Sequence, residues 1–390
     1  MKCINEVEIK NKKVILRSDL NVTIKNDFII DDTKIVKSLN TINYLLENNN
    51  SIILLSHLGK VKSEEDKIKN TLLPVYNKLK ELLNVNILFS NKTTGDELEN
   101  LVKNLKEREI LLVENTRHED FPEKKESKCN EELSKYWANL GDIFINDAFG
   151  TSHRCHASNY GISKYLESYY GLLIEEEKNK LNELINNPEK PFTVIMGGAK
   201  VEDKLKLISE LLTTCDNLIV GGGIANTFMH AKGYEIGKSL VSLDNIEEIK
   251  ELINKYEEKI IIPNDFYVEN NGNKEYRTAD NILNDDIIFD IGEKTLEKYK
   301  TIINNSKTIF INGTVGLYED ERFKNGTSEL FNILKLSNTK TYVGGGDAVS
   351  ATNKLGFSDD FYFKSTGGGA TLEYIINKKM ISLEDNNDNN

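Results

Sequence analysis

Short, continuous apolar runs alternate with longer amphipathic stretches along nearly the whole chain, and that rhythm predicts an α/β fold built on parallel sheets. In the first half the runs are Val14–Leu16, Ile52–Leu55, Ile110–Val113 and Ile143–Ile145. In the second half they are Val194–Met196, Leu218–Val220, Ile260–Ile262, Ile287–Phe289, Ile309–Ile311, Tyr342–Val343 and Phe361–Phe363. Runs without polar alternation suit strands buried on both faces. Each is followed by polar residues or glycine, and ligands of open α/β sheets bind beyond the carboxyl ends of the strands. Chemistry is therefore expected at those ends. Between the two groups of runs, a charged stretch from Glu175 to Asn187 places Leu181, Leu184 and Ile185 at helical spacing. It stops at Pro188 and Pro191, which predicts a linker helix closed by prolines.

The strand ends differ between the halves. In the second half they carry glycine turns: Gly197-Gly198-Ala199-Lys200, Gly221–Gly223, Gly344–Gly346 and Gly367–Gly369. Glycine lets backbone N–H groups approach an anion closely, and a following helix N-terminus adds its dipole. The first half places cationic side chains there instead. A phosphate-cradling half joined to an anion-collecting half suggests a two-substrate phosphoryl-transfer enzyme.

Length and charge narrow the picture. A chain of 390 residues exceeds one ordinary core, so two domains are expected: 1–172, a linker helix over 173–190, 191–372, and a last segment over 373–390. The final residues, from Glu384 onward, read as disordered. A net charge of −12 argues against a general nucleic-acid binder, so the cations at the strand ends must be local concentrations. Four widely spaced cysteines without a C-x-x-C pair fit a reducing compartment, and a polar N-terminus without an apolar core points to the cytoplasm. No apolar stretch approaches membrane-spanning length. Cys155 stands between His153 and His156, but no further ligand lies at zinc spacing.

In the first half the candidate anion ligands are Arg17-Ser18-Asp19-Leu20-Asn21, Ser56-His57-Leu58-Gly59-Lys60, Lys34, Arg117 and His153-Arg154. Adjacent parallel strands would bring them to one rim, where arginine suits bidentate recognition of carboxylate and phosphate. In the second half, Lys200 and Lys204 are four apart, which predicts that both face one side of a helix's first turn. Asp347 is a candidate Mg²⁺ ligand or a helix N-cap, and Glu319 a candidate ribose acceptor. Gly233-Tyr234-Glu235-Ile236-Gly237-Lys238-Ser239 mimics a P-loop, but three residues rather than four separate its glycines.

With these segments assembled, the chain resembles the phosphoglycerate kinase family over nearly its whole length. The resemblance rests on Arg17–Val22, Ser56–Gly59, Asn146–Thr151, Gly197–Lys204, Gly344–Asp347 and Ser365–Ala370, in that order. It implies two doubly wound parallel-sheet lobes joined by the linker helix and closing on a hinge. The implied reaction is phosphoryl transfer between 1,3-bisphosphoglycerate and ADP, giving 3-phosphoglycerate and ATP with Mg²⁺. By the same resemblance, Asp19, Leu20, Asn21, Lys34, His57, Leu58, Gly59, Lys60, Arg117 and Arg154 would hold phosphoglycerate. Gly198, Ala199, Lys200, Lys204, Gly222, Gly292, Asn312, Glu319, Gly345, Gly346, Asp347 and Ala348 would serve the nucleotide, Asp347 near the metal. Lys34, Lys200 and Gly368 would stand at the chemistry, and a monomer is implied. The chain departs from the family pattern at several points. Lys34 and Lys60 each stand where the family has arginine, Ala348 where it has a hydroxyl, and Thr314 where it has proline. Two other readings stay open: a catalytically weak paralogue that binds either ligand in a regulatory role, and a kinase of a related phosphorylated acid.

Overall fold

Alternate residues of the first-half strands enter two different cores, which is why those strands carry no polar face. In the computed structural model, which describes residues 1–384, the chain divides into two units, Met1–Asn179 together with Asn377–Asn390, and Lys180–Ile376. The first holds a six-stranded parallel sheet in the order Ile87–Ser90, Ile110–Val113, Ser51–Leu55, Lys13–Ser18, Ile143–Asp147, Ser168–Tyr170. Val14, Leu16, Ile52, Leu54, Ile110 and Leu112 pack on one side against Ile35, Ile42, Leu45, Val75 and Leu79. Ile15, Ile53, Leu55, Leu111, Val113 and Phe144 pack on the other against Leu98, Val102, Leu133 and Trp137. Each buried side chain of this kind contributes roughly 1.5–3 kcal/mol, so neither face tolerates polar residues. The chain leaves the central strand Lys13–Ser18 toward one edge and returns to its other side at Ile143–Asp147. This reversal puts the topological switch point at Asp19.

The second unit repeats the plan. Its six-stranded parallel sheet runs Ile260–Ile261, Asn217–Val220, Phe192–Met196, Thr308–Asn312, Lys340–Val343, Phe363–Lys364. The reversal here falls between Phe192–Met196 and Thr308–Asn312, beside Gly197 and Gly313. Both units are thus doubly wound α/β sheets.

Three expectations need correction. Ile287–Phe289 is not in the parallel sheet: Ile287–Ile291 pairs antiparallel with Asp265–Asn270, which forms a hairpin with Asn273–Thr278. That hairpin turns on Asn271-Gly272, both at positive φ, a signal present in the sequence. Of Phe361–Phe363 only Phe363 belongs to a strand, because Phe361 turns back edge-on to Phe331 at 5.9 Å. The linker helix spans Leu172–Asn186, against the 173–190 expected for it. Its first turn is held by buried partners from elsewhere in the first unit: Thr41 Oγ1 accepts from Leu172 N at 3.0 Å and Asp147 Oδ1 from Ile174 N at 3.1 Å. A Cβ at Gly171 would lie 2.3 Å from the Asp147 carboxyl carbon, so only glycine fits. Gly171→Ala should accordingly cost about 1–3 kcal/mol, read as a lower urea midpoint for the first unit.

The C-terminal segment belongs to the first unit. Ser382 donates from its N and Oγ to the Ser152 carbonyl at 3.1 and 2.9 Å. The expected disorder at residues 385–390 lies outside the described residues. Among the described residues no helix is long and apolar enough to cross a membrane.

Candidate active site

At the switch point of the first unit, Lys34 in the opening turn of the helix Thr33–Glu47 pairs with Asp19 at 2.8 Å. Burial opposes the charge of Asp19, but Lys34, by charge and hydrogen bond, together with Asn21 N, outweighs it and holds its carboxyl below the ordinary range. Asp19 Oδ1 accepts from Asn21 N, and Asn21 Oδ1 accepts from Gly59 N at 2.9 Å. Asn115 clasps Leu58, accepting from its N and donating to its carbonyl, and also accepts from Arg117 N. Leu20 N donates to Ser56 Oγ. Three strand ends are thereby tied into one surface.

The charges converge. Burial first, then Arg17, with smaller contributions from Arg117 and Lys34, hold His57 well below its ordinary pKa against the pull of Asp19. Burial together with Arg17, Arg117 and Arg154 pushes His156 down to about 3. Both imidazoles are neutral at pH 7, and the cations around them are Arg17, Lys34, Arg117 and Arg154. Among the described residues, Arg117 Nε and His156 Nδ1 are buried without a hydrogen-bond partner. Arg117 pairs with Asp120 through Nη1 at 3.6 Å, and its orphan Nε, a buried donor near Arg154, suits an anion. Lys60 is exposed, and its carbonyl accepts from Asn70 at 2.9 Å. Arg17 departs from expectation. It lies within the strand Lys13–Ser18 with 0% exposure, its guanidinium spent on protein groups, because a residue one step before the strand's end still points into the sheet's covering layer.

At the switch point of the second unit the turns interlock through backbone. Gly197 N donates to the Asn312 carbonyl, Gly198 N to Thr314 and Gly222 N to Val315, at 2.8, 2.9 and 3.3 Å. Asn312 Nδ2 reaches the Gly344 carbonyl at 2.7 Å. Gly222 has φ 61°, and a Cβ on it would meet the Gly198 carbonyl at 2.7 Å, so a side chain there would push the Gly198 and Gly222 turns apart. A Cβ at Gly346 or Gly368, by contrast, would meet nothing, so backbone there faces open space. Asp347 and Ala348 follow in the first turn of the helix Gly346–Lys354. Ala348 is buried and Glu319 exposed.

Lys200 and Lys204 do not share a helical face. The helix starts only at Leu205, and residues 201–204 form a turn. Lys200 is exposed, beside Ala199 at the tip of the turn. Lys204 Nζ instead folds back onto the Gly197 carbonyl at 2.6 Å, since a turn lets the side chain reach the preceding strand end. Burial, only partly countered by Asp347 and Asp203, lowers its pKa to about 8. An incoming phosphate would raise it again, so nucleotide binding should take up a proton above pH 8. Affinity is then complete below pH 8 and falls by up to about tenfold per pH unit above it. Calorimetric titration of ADP between pH 7 and 9.5 checks this, and a flat profile would remove Lys204 from the phosphate contacts. Gly292 is not drawn into these turns by any of the contacts above. It caps the helix Glu293–Asn305, packed against Asp265, whose carboxylate already accepts from Lys294 N and Thr295 N.

Asp347 offers one exposed carboxylate, and among the described residues no group of three His, Cys, Asp or Glu could hold a metal. That donor set fits Mg²⁺ carried on phosphates and waters, with a single protein ligand.

The family model for phosphoglycerate kinase matches residues 4–378. The chain belongs to the phosphoglycerate kinase family. Curated phosphoglycerate kinases similar to it include that of Listeria innocua, 46% identical over 384 residues with 97% of each chain covered. That of Fusobacterium nucleatum is 45% identical over 391 residues, covering 98% of each. Among solved structures, the Coxiella burnetii phosphoglycerate kinase superposes with a TM-score of 0.84 at 33% identity, over 97% of both chains.

Two features of this phosphoglycerate kinase site escaped the sequence reading. His156 was weighed only as a metal ligand, because its place beside Arg117 depends on how the 149–161 segment folds. The exposed leucines Leu240 and Leu317 lie on segments that both hydrogen-bond to the strand Ile287–Ile291: Ile288 N donates to Ser239 Oγ, and Leu317 N to the Phe289 carbonyl. Both leave apolar surface exposed on segments tied to that strand. No local motif announces them.

Proposed function

We propose that the chain carries out reversible phosphoryl transfer between 1,3-bisphosphoglycerate and ADP, giving 3-phosphoglycerate and ATP, with the two substrates divided between its two units. The observation that carries this division is the cluster of Lys34, Arg117 and Arg154 around two neutral imidazoles at one switch point, set against interlocked glycine turns at the other. Asp19, Asn21, Lys34, His57, Lys60, Arg117 and Arg154, with the backbone of Leu20, Leu58 and Gly59, hold phosphoglycerate. Gly198, Ala199, Lys200, Lys204, Gly222, Asn312, Glu319 and Gly345 to Ala348 hold the nucleotide. Asp347 is the protein's ligand to Mg²⁺, which when bound neutralises charge on the nucleotide phosphates.

The acceptor in the ATP-consuming direction is a carboxylate, ionised at pH 7, so no general base is required. The residues therefore act by holding two anions and by stabilising charge on the transferring group. Lys200 and the open backbone at Gly368 serve the latter role. We further infer a reducing, cytoplasmic compartment from the four widely spaced cysteines, and a monomer from membership of the family. A coupled assay with 3-phosphoglycerate and Mg-ATP tests the function, and calorimetry with each ligand accompanies it. Turnover is expected. Binding of both ligands without turnover would favour a regulatory paralogue instead.

A further inference from the structure

Four side chains of the first unit form one buried hydrogen-bonded line that ends on His57. Glu126 is 0% exposed, and its Oε2 accepts from Ser158 N at 2.9 Å while its Oε1 accepts from Ser158 Oγ at 2.5 Å. Ser158 Oγ in turn accepts from Arg17 Nε at 2.8 Å. Arg17 donates from Nη1 to the Ser18 carbonyl and lies, through Nη2, 3.1 Å from His57 Nδ1. A guanidinium has donors and no acceptor, so Nδ1 must accept, and the single proton of the neutral ring sits on Nε2. Burial raises the pKa of Glu126, while Arg17 and the two hydrogen bonds from Ser158 favour its carboxylate. Its charge offsets that of Arg17, which would otherwise be a buried cation at heavy cost.

We propose that Glu126, Ser158 and Arg17 are positioning residues that lock His57 as its Nε2–H tautomer, so that it presents a donor to an anionic oxygen of 3-phosphoglycerate. Arg17 does not touch the substrate, since its nitrogens are engaged inside the protein. Nδ1 is occupied by Arg17, which leaves Nε2 as the ring nitrogen available to a ligand. A histidine ring in water samples both tautomers, and the Nδ1–H form would turn a lone pair rather than a proton toward an anion. The line removes that ambiguity without adding a charge, and it explains why a histidine lies among cations yet stays neutral.

The inference rests on reading His57 as a substrate ligand, and two measurements separate the claims. Ring ¹⁵N chemical shifts of His57 in the ligand-free full chain, assigned by comparison with His57→Gln, should show a neutral ring protonated on Nε2 at pH 7. A proton on Nδ1, or a doubly protonated ring, overturns the proposal with no variant required to fold. Ser158→Ala cuts the line between Glu126 and Arg17. It should mix the tautomers of His57 and raise the KM for 3-phosphoglycerate about 10-fold, the effect of one charge-assisted hydrogen bond, with the KM for ATP unchanged. Unaltered shifts together with an unaltered KM in Ser158→Ala would also overturn it. If His57→Gln leaves the KM for 3-phosphoglycerate as in the parent, the reading of His57 as a ligand fails, while the tautomer result stands on its own.

Discussion

Replacing Lys200 by alanine should lower kcat by about 10²–10³-fold while changing the KM for ATP far less, the loss typical of removing one preorganised group that meets charge developing in the transition state. The two lysines after Met196 separate these roles by their surroundings. Lys204 is half-buried and bonded to the Gly197 carbonyl, so it shapes the turn and contributes to ground-state binding of nucleotide. Lys200 is exposed at the tip of that turn. Its ammonium is therefore the one able to follow a group that moves. An interaction stronger in the transition state than in the ground state appears in kcat, and one equally strong in both appears in KM. Lys204→Ala should accordingly raise the KM for ATP and loosen the Gly197–Gly198 turn. Steady-state kinetics of both variants in both directions check the split. A Lys200→Ala enzyme with the parent's kcat would take Lys200 off the list of groups at the chemistry.

What the sequence reveals of this molecule is set by how local the physics is. The parallel strands are legible because a strand covered on both faces must be apolar throughout, as Ile52–Leu55 and Ile110–Val113 are. The edge strand Ser168–Tyr170 is not, since its three partly exposed residues are serine and tyrosine and form no apolar run. The strand Ile287–Ile291 reads like its parallel neighbours because periodicity reports burial and not direction. Site residues divide in the same way. Asp19, Lys34, His57 and Arg117 stand near strand ends, where α/β topology sends ligands, and can be proposed from position alone. Arg17 stands one residue too early, and that single step turns a candidate ligand into a buried partner of Ser158. His156 depends on contacts made through another segment, which no spacing encodes.

Lys34 is where a substitution should move activity in both directions. Its ammonium neutralises Asp19, which is only 5% exposed and which, through Asn21, orders Gly59. Lys34→Ala would leave that carboxylate buried without a counter-charge, inside a cluster meant to receive anions. Breaking a buried pair in this way costs about 3–5 kcal/mol, and even half of that, spent on repelling substrate, corresponds to about a 10- to 100-fold loss in kcat/KM for 3-phosphoglycerate. The arginine variant tests geometry rather than charge. Lysine presents a point charge, and at 2.8 Å from Asp19 Oδ2 much of it is already engaged. A planar guanidinium could keep Asp19 with one N–H and direct a second at the transferring group. One added charge-assisted hydrogen bond of about 1.5–3 kcal/mol is worth about 10- to 100-fold, so Lys34→Arg should raise kcat toward that range with little change in the KM for ATP. Asp19 would keep its counter-ion, and the fold of the rim with it, so the comparison isolates the fork from the charge. A slower Lys34→Arg enzyme with normal binding of both ligands would show that Asp19, Asn21 and Gly59 are spaced for an ammonium, and that the longer side chain displaces the substrate it should have helped.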